Sequence, residues 1–144
     1  MFALKPLEEH NVRDYMMFTY PWLRGNLTEC CSREDKVVLA AAYDSKPAGL
    51  IMARVDQYEN MGRIQSLFVA SSYRKQGLGT RLLQTAEKEL VKKECSKLHI
   101  YFPMPEGQTP PLLRILNAEG WSSPIKNDEL CKFKISGFTW MDRL

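Results

Sequence analysis

No stretch of these 144 residues is long and apolar enough to cross a bilayer. The longest run free of Asp, Glu, Lys, Arg and His is the ten residues from Ile64 to Tyr73, about half of what a spanning helix needs. Histidine is scarce, with only His10 and His99, and neither has metal-ligand spacing. The four cysteines, Cys30, Cys31, Cys95 and Cys131, form no C-x-x-C pair, so no metal site is expected. A chain that makes so little of its cysteines reads as reduced and cytoplasmic. A signal peptide is not expected either, because Pro6, Glu8, Glu9 and His10 interrupt the place where an apolar core should run. An excess of one charge is also lacking. Twenty Lys and Arg stand against 17 Asp and Glu, a net charge of +3, too small to argue for nucleic-acid binding by itself. What is present is an ordinary globular composition, 44% hydrophobic and 26% charged, without repeats or low-complexity tracts. Residues 1–144 are expected to form a single domain.

Periodicity sets out the elements. Met1–Leu7 reads as a short strand. Glu8 to Phe18 reads as a helix with Val12, Tyr15, Met16 and Phe18 inward, and 27–33 as a second short helix. Lys36 to Tyr43 is a continuous apolar run closed by Asp44-Ser45-Lys46-Pro47, the pattern of a buried strand. Ala48–Val55 and Arg63–Val69 follow as strands, with the turn Tyr58–Gly62 between them. The period then changes. Leu78, Leu82, Leu83, Ala86, Leu90 and Val91 mark one helical face, opposed by Arg81, Gln84, Glu87, Lys88 and Lys92. Glu89 and Lys93 are expected to pair at i,i+4. A strand over 97–102, a Pro-rich loop, a helix over 112–118 ended by Gly120, and strands over 121–125 and 130–135 complete the order. The first three long strands join by tight turns and must be antiparallel. The strand over 97–102 follows a helical crossover, so it should lie parallel to 63–69. The fold class is α+β, a mixed and mostly antiparallel sheet flanked by helices.

Chemistry concentrates between the third long strand and the long helix, at Arg74-Lys75-Gln76-Gly77-Leu78-Gly79-Thr80. A helix start exposes unpaired N–H groups and about half a positive charge. Gly77 and Gly79 let an anion approach the backbone. Arg74 and Lys75 add charge, and the Thr80 hydroxyl can donate to a phosphate oxygen. A P-loop is excluded because no lysine follows Gly79. A Rossmann fingerprint is excluded because Leu82 stands where its third glycine should be, and no βαβ unit precedes the loop. The segment does meet in full the pattern of Arg or Gln, two residues, Gly, one residue, then Gly or Ala.

With this hexad placed between strand and helix, and with this order of elements, the chain resembles the GNAT superfamily of acetyl-CoA-dependent N-acetyltransferases. The resemblance implies the GNAT acyl-CoA N-acyltransferase fold, with acetyl-CoA as cosubstrate and no metal. It implies that Arg74, Lys75, Gln76, Gly77, Leu78, Gly79 and Thr80 hold the pyrophosphate. It also implies that Leu67, Phe68 and Val69 lend backbone groups to the pantetheine arm, as a ligand strand completing an open ladder. The oxyanion would be met by a backbone N–H near Val69. The acid that many members carry on this strand falls instead on Arg63, Gln65 or Ser66. The tyrosine that serves as general acid falls on Leu116, and the usual asparagine on Thr109. No catalytic residue is therefore assigned. His99, Tyr101, Cys95 and the acidic residues Glu29, Glu34 and Asp35 are the substitutes, each with an ordinary packing or solvation role as the alternative. Tyr43 and Tyr58 read as packing or rim aromatics.

The expected activity is acetyl transfer to a primary amine of a small molecule or protein by direct attack. The alternative is an acyl-CoA-binding sensor or interaction module of the same fold without efficient transfer, motivated by the missing acid and tyrosine. A nucleic-acid-binding domain ranks last, because no aromatic platform or basic stripe accompanies Arg74-Lys75 and Lys92-Lys93. Segments 20–35 and 103–111 are where acceptor specificity is expected. The apolar tail Phe138-Thr139-Trp140-Met141-Asp142 suits packing on a second copy, a homodimer, or on a further domain.

Overall fold

A computed structural model describes residues 2–25, 27, 34–74, 76–95, 97–103 and 129–135, with backbone only beyond Ile100. Six described strands form one sheet in the order β1-β2-β3-β4-β5-β6. They are β1 (Phe2–Pro6), β2 (Lys36–Tyr43), β3 (Lys46–Asp56), β4 (Met61–Val69), β5 (Lys97–Pro103) and β6 (Glu129–Ile135). Neighbours are antiparallel except β4 and β5, which run parallel. The helix α3 (Leu78–Lys92) makes the crossover between them. The short helices α1 (Val12–Tyr15) and α2 (Pro21–Arg24) precede β2.

The apolar run of β2 is buried on both faces of the sheet. Val37, Leu39 and Ala41 join Ile51, Ala53, Ile64, Leu98 and Ile100 in packing against Leu78, Leu82, Leu83, Ala86 and Leu90 of α3. Val38 and Ala40 turn the other way, with Leu50 and Met52, onto Leu7, Val12, Tyr15 and Leu27. Two helical layers on one sheet explain why β2 does not alternate between apolar and polar residues. On that second face the Tyr15 hydroxyl donates to the Ala41 carbonyl at 3.0 Å. Burial, helped by the Asp14 carboxylate, raises the pKa of Tyr15.

Several local expectations change. The helix expected over Glu8–Phe18 is broken into a 3-10 turn at Glu9–Asn11, α1, and a second 3-10 turn at Met16–Phe18. No side chain caps any of these pieces, and helices this short draw their stability from packing rather than propensity. The β2–β3 turn is tighter than the four residues expected. Asp44 and Ser45 both take positive φ, 48° and 69°, as the central pair of a two-residue hairpin does, so β3 begins at Lys46. Glu87, placed by periodicity on the polar face of α3, is fully buried, because it lies in the row Leu83–Glu87–Leu90 along the edge of the apolar stripe. Glu89 pairs with Lys92 at 3.3 Å rather than with Lys93, whose ammonium donates to the Glu34 carbonyl at 2.8 Å. The helices expected over 27–33 and 112–118, the strand over 121–125 and the tail 138–142 lie outside the described residues, Leu27 excepted.

Candidate functional site

Two features of β4 build the site. The first is a bulge. Met52 of β3 pairs with Ser66 and Ala53 pairs with Ile64, so Gln65 is the extra residue, and such a bulge bends and twists its strand. The second is a fork. β4 and β5 pair only from Met61↔Lys97 to Ile64↔Ile100, although β4 runs on to Val69 and β5 to Pro103. Past Ile64 β4 has no strand partner on its β5 side among the described residues. An amide-bearing ligand can lie in such a gap as an added strand.

β4 leads into the loop that the sequence singled out. Ser71–Tyr73 forms a 3-10 turn. Tyr73 packs edge-on against Phe2, and its ring centroid lies 5.6 Å from that of Tyr43. Gly77 then takes φ 79° and starts α3 with no side-chain cap. The first amides of this 15-residue helix therefore keep their donors for a ligand or water. Arg74 is exposed and folded back, its Nε donating to the Val69 carbonyl at 2.9 Å. Its guanidinium lies 5.7 Å from the centre of the Phe68 ring.

The expected cofactor residues fall into place unevenly. Gln76 and Gly77 are exposed, and Thr80 is half-buried. Leu78 and Gly79 are buried, so Leu78 is a core side chain whose backbone alone is available. Leu67 and Val69 pack into the α3-side core, while Phe68 turns to the other face against Phe18, ring centroids 5.1 Å apart. Lys75 lies outside the described residues, as do Glu29, Thr109 and Leu116, and the Tyr101 side chain is not described.

On the face of β4 away from α3, Ser66 and Thr19 share a hydroxyl hydrogen bond of 2.8 Å, both residues buried. Nothing in the sequence pairs them, since 47 residues separate them. Arg63 is opposite His99 in the parallel register. Its outer nitrogen reaches Glu59 at 3.2 Å and Asp56 at 3.7 Å. Burial, and secondly the Arg63 charge, hold His99 below its ordinary pKa, so it is neutral at pH 7. Cys95 is buried and its thiol is pushed up by that burial, the behaviour of a packing residue and not a nucleophile. Glu34 and Asp35 line two adjoining cavities of about 580 and 540 Å³, together with Val55 and Gln57. These lie at the Asp56–Met61 end of the β3–β4 hairpin, remote from the loop after Val69.

A model of the acetyltransferase (GNAT) family matches residues 4–106, which spans β1 through β5. The chain belongs to the GNAT acetyltransferase family. As a GNAT protein it is an acyltransferase, and the family's fold is the sheet and helices described above. Among solved structures, the PaiA N-acetyltransferase of Thermoplasma acidophilum in complex with coenzyme A is similar, with a TM-score of 0.78 and 17% identity over 94% of this chain and 99% of that one. A ribosomal-protein-alanine N-acetyltransferase from Brucella melitensis gives a TM-score of 0.74 and 15% identity, covering 92% of this chain and 99% of that one. Mutant forms of the spermidine/spermine N-acetyltransferase SpeG from Vibrio cholerae give 0.74 and 12% identity over 99% of both chains. At these identities the likeness is one of fold, and the named acceptors belong to those proteins. No curated protein matches this GNAT chain by sequence. Among the described residues, no helix is long and apolar enough to cross a membrane.

Proposed function

We propose that the protein transfers an acetyl group from acetyl-CoA to a primary amine, and that residues 1–144 are one cytoplasmic GNAT domain that does so. The observation that carries this reading is the conjunction of the β4–β5 fork with the uncapped start of α3 behind Gly77. Acetyl-CoA supplies an activated acetyl thioester. Leu67, Phe68 and Val69 would offer the pantetheine arm their backbone groups. Arg74, Lys75, Gln76, Gly77, Leu78, Gly79 and Thr80 would hold the pyrophosphate, with the helix amides as main donors. The pieces fit: the amides are uncapped, Gly77 carries no side chain to block them, and Arg74 can swing from Val69 to an anion. The amine nitrogen forms its bond to the acetyl carbon as the C–S bond breaks, and one N–H proton ends on the released thiol. Orientation and exclusion of water are the contributions this fork can make to that step.

Calorimetry with CoA should give a one-to-one isotherm. Arg74→Ala should weaken binding by on the order of 1–2 kcal/mol, as one charge-assisted contact among several. Absence of both heat and thermal shift would overturn the reading. A second reading, a CoA sensor without efficient transfer, has a specific observation behind it, since Met61–Val69 holds no Asp or Glu. CoA binding without turnover across small amines, polyamines and peptides would favour it.

A further inference from the structure

The bulge leaves β4 with a polar side chain that the fold does not use. Gln65 Oε1 is buried, yet it accepts no hydrogen bond among the described residues. A buried carbonyl without a donor costs free energy that an apolar side chain of the same length would not. Folding alone therefore gives no reason for an amide here. Its neighbours are engaged except at Arg63 Nε, which is also buried without a partner among the described residues. The Ser66 hydroxyl is taken by Thr19 at 2.8 Å, and the outer nitrogen of Arg63 is held by Glu59 at 3.2 Å. The place suggests the reason. Gln65 is the first residue of β4 beyond its last pair with β5, Ile64↔Ile100, and so it stands where the two strands part.

We propose that Gln65 is a positioning residue for the acceptor amine, its Oε1 accepting a hydrogen bond from the attacking nitrogen. This rests on the acetyl-transfer reading above. A neutral primary amine attacks with its lone pair and keeps its N–H groups free to be held. An amide oxygen can hold one of them without removing the proton. Gln65 therefore orients the nitrogen and leaves proton removal to other groups, unlike a carboxylate at the same point.

The probe is a conjugate in which the CoA sulfur is joined through a methylene to a propyl amide, placing an N–H where the acceptor nitrogen would sit. Its partner is the matching propyl ester, which has no N–H. Wild-type protein should prefer the amide conjugate by about tenfold, the range of one buried hydrogen bond. Gln65→Met, which removes the carbonyl at nearly equal length, should abolish that preference while binding CoA as wild type does. Gln65→Glu, which keeps an oxygen acceptor, should retain it. Equal binding of amide and ester by the wild type would overturn the proposal without recourse to any variant. So would parallel loss of CoA and conjugate in Gln65→Met, the signature of a merely structural residue. Failure of the wild type to bind CoA at all would instead remove the acetyl-transfer reading, and this inference with it.

Discussion

At position 77 the backbone turns left-handed, φ 79°, with nothing within 4 Å of where a Cβ would stand. Gly77→Ala meets strain there but no clash, and should cost about 1 kcal/mol in urea unfolding, with Gly77→Asn losing less. His99 gives a pH signature. Its folded-state pKa lies below the ordinary 6.5 because of burial and the Arg63 charge. As pH falls below 6.5, the unfolded chain takes up the proton first, so its contribution to stability is complete above 6.5. That contribution is lost as pH falls through the depressed value, and the loss then levels off. Denaturant titrations from about pH 7.5 to about pH 5 should show this slope in the wild type and its removal in His99→Gln. At this scale the sequence was partly readable. Gly77 announced itself by spacing and helix position. Gln65 stood out only as one of three positions, with Arg63 and Ser66, where the family's acid is missing; the bulge that sets it apart is fixed by the register of two strands and leaves no mark in the residue that is left over. The Thr19–Ser66 pair was equally hidden, since only the tertiary fold brings position 19 to β4.

Elements were legible where one periodicity ruled a long segment. β2, β3 and β4 follow from short segments of apolar β formers bounded by turn residues, and α3 from apolar residues at a period of 3.6. The segment 9–18 misled because its helical pattern is real but serves three short turns pressed on the sheet. Where α3 crosses the sheet, two glycines keep the layers close. A Cβ at Gly49 would lie 2.9 Å from a Leu82 methyl and 3.0 Å from the Phe68 carbonyl oxygen. The three atoms nearest a Cβ at Gly62 would be methyls of Leu90 and Leu98, the closest at 2.9 Å. Side-chain ends can shift more cheaply than a paired strand. Both alanine variants should therefore lose stability, by about 1–3 kcal/mol, and Gly49→Ala should lose more. Thermal melts of the two variants side by side decide it. A larger loss at Gly62 would mean that the Leu90 and Leu98 methyls are held more rigidly than the backbone of β4.

For the molecule as a whole, the acid missing from β4 predicts how rate depends on pH. A lysine-like amine has a solution pKa near 10.4, so only about one molecule in a few thousand is neutral at pH 7. With no positioned base, kcat/KM for such an acceptor should rise roughly tenfold per unit through pH 8 and 9. If His99 served as base, the profile would instead flatten above its lowered pKa, and His99→Gln would restore the slope. The fork carries a further consequence, for solubility. Sheets usually keep their bare edges at the outside and guard them with charge, proline or a covering loop. Among the described residues, β4 past Ile64 is an edge in the middle of a sheet, and its residues Leu67, Phe68 and Val69 are all apolar. An extended segment of another chain fits that gap by the same backbone chemistry as a ligand would. The ligand-free protein should accordingly self-associate on concentration, and light scattering should fall when CoA is added, because whatever fills the gap also hides the template.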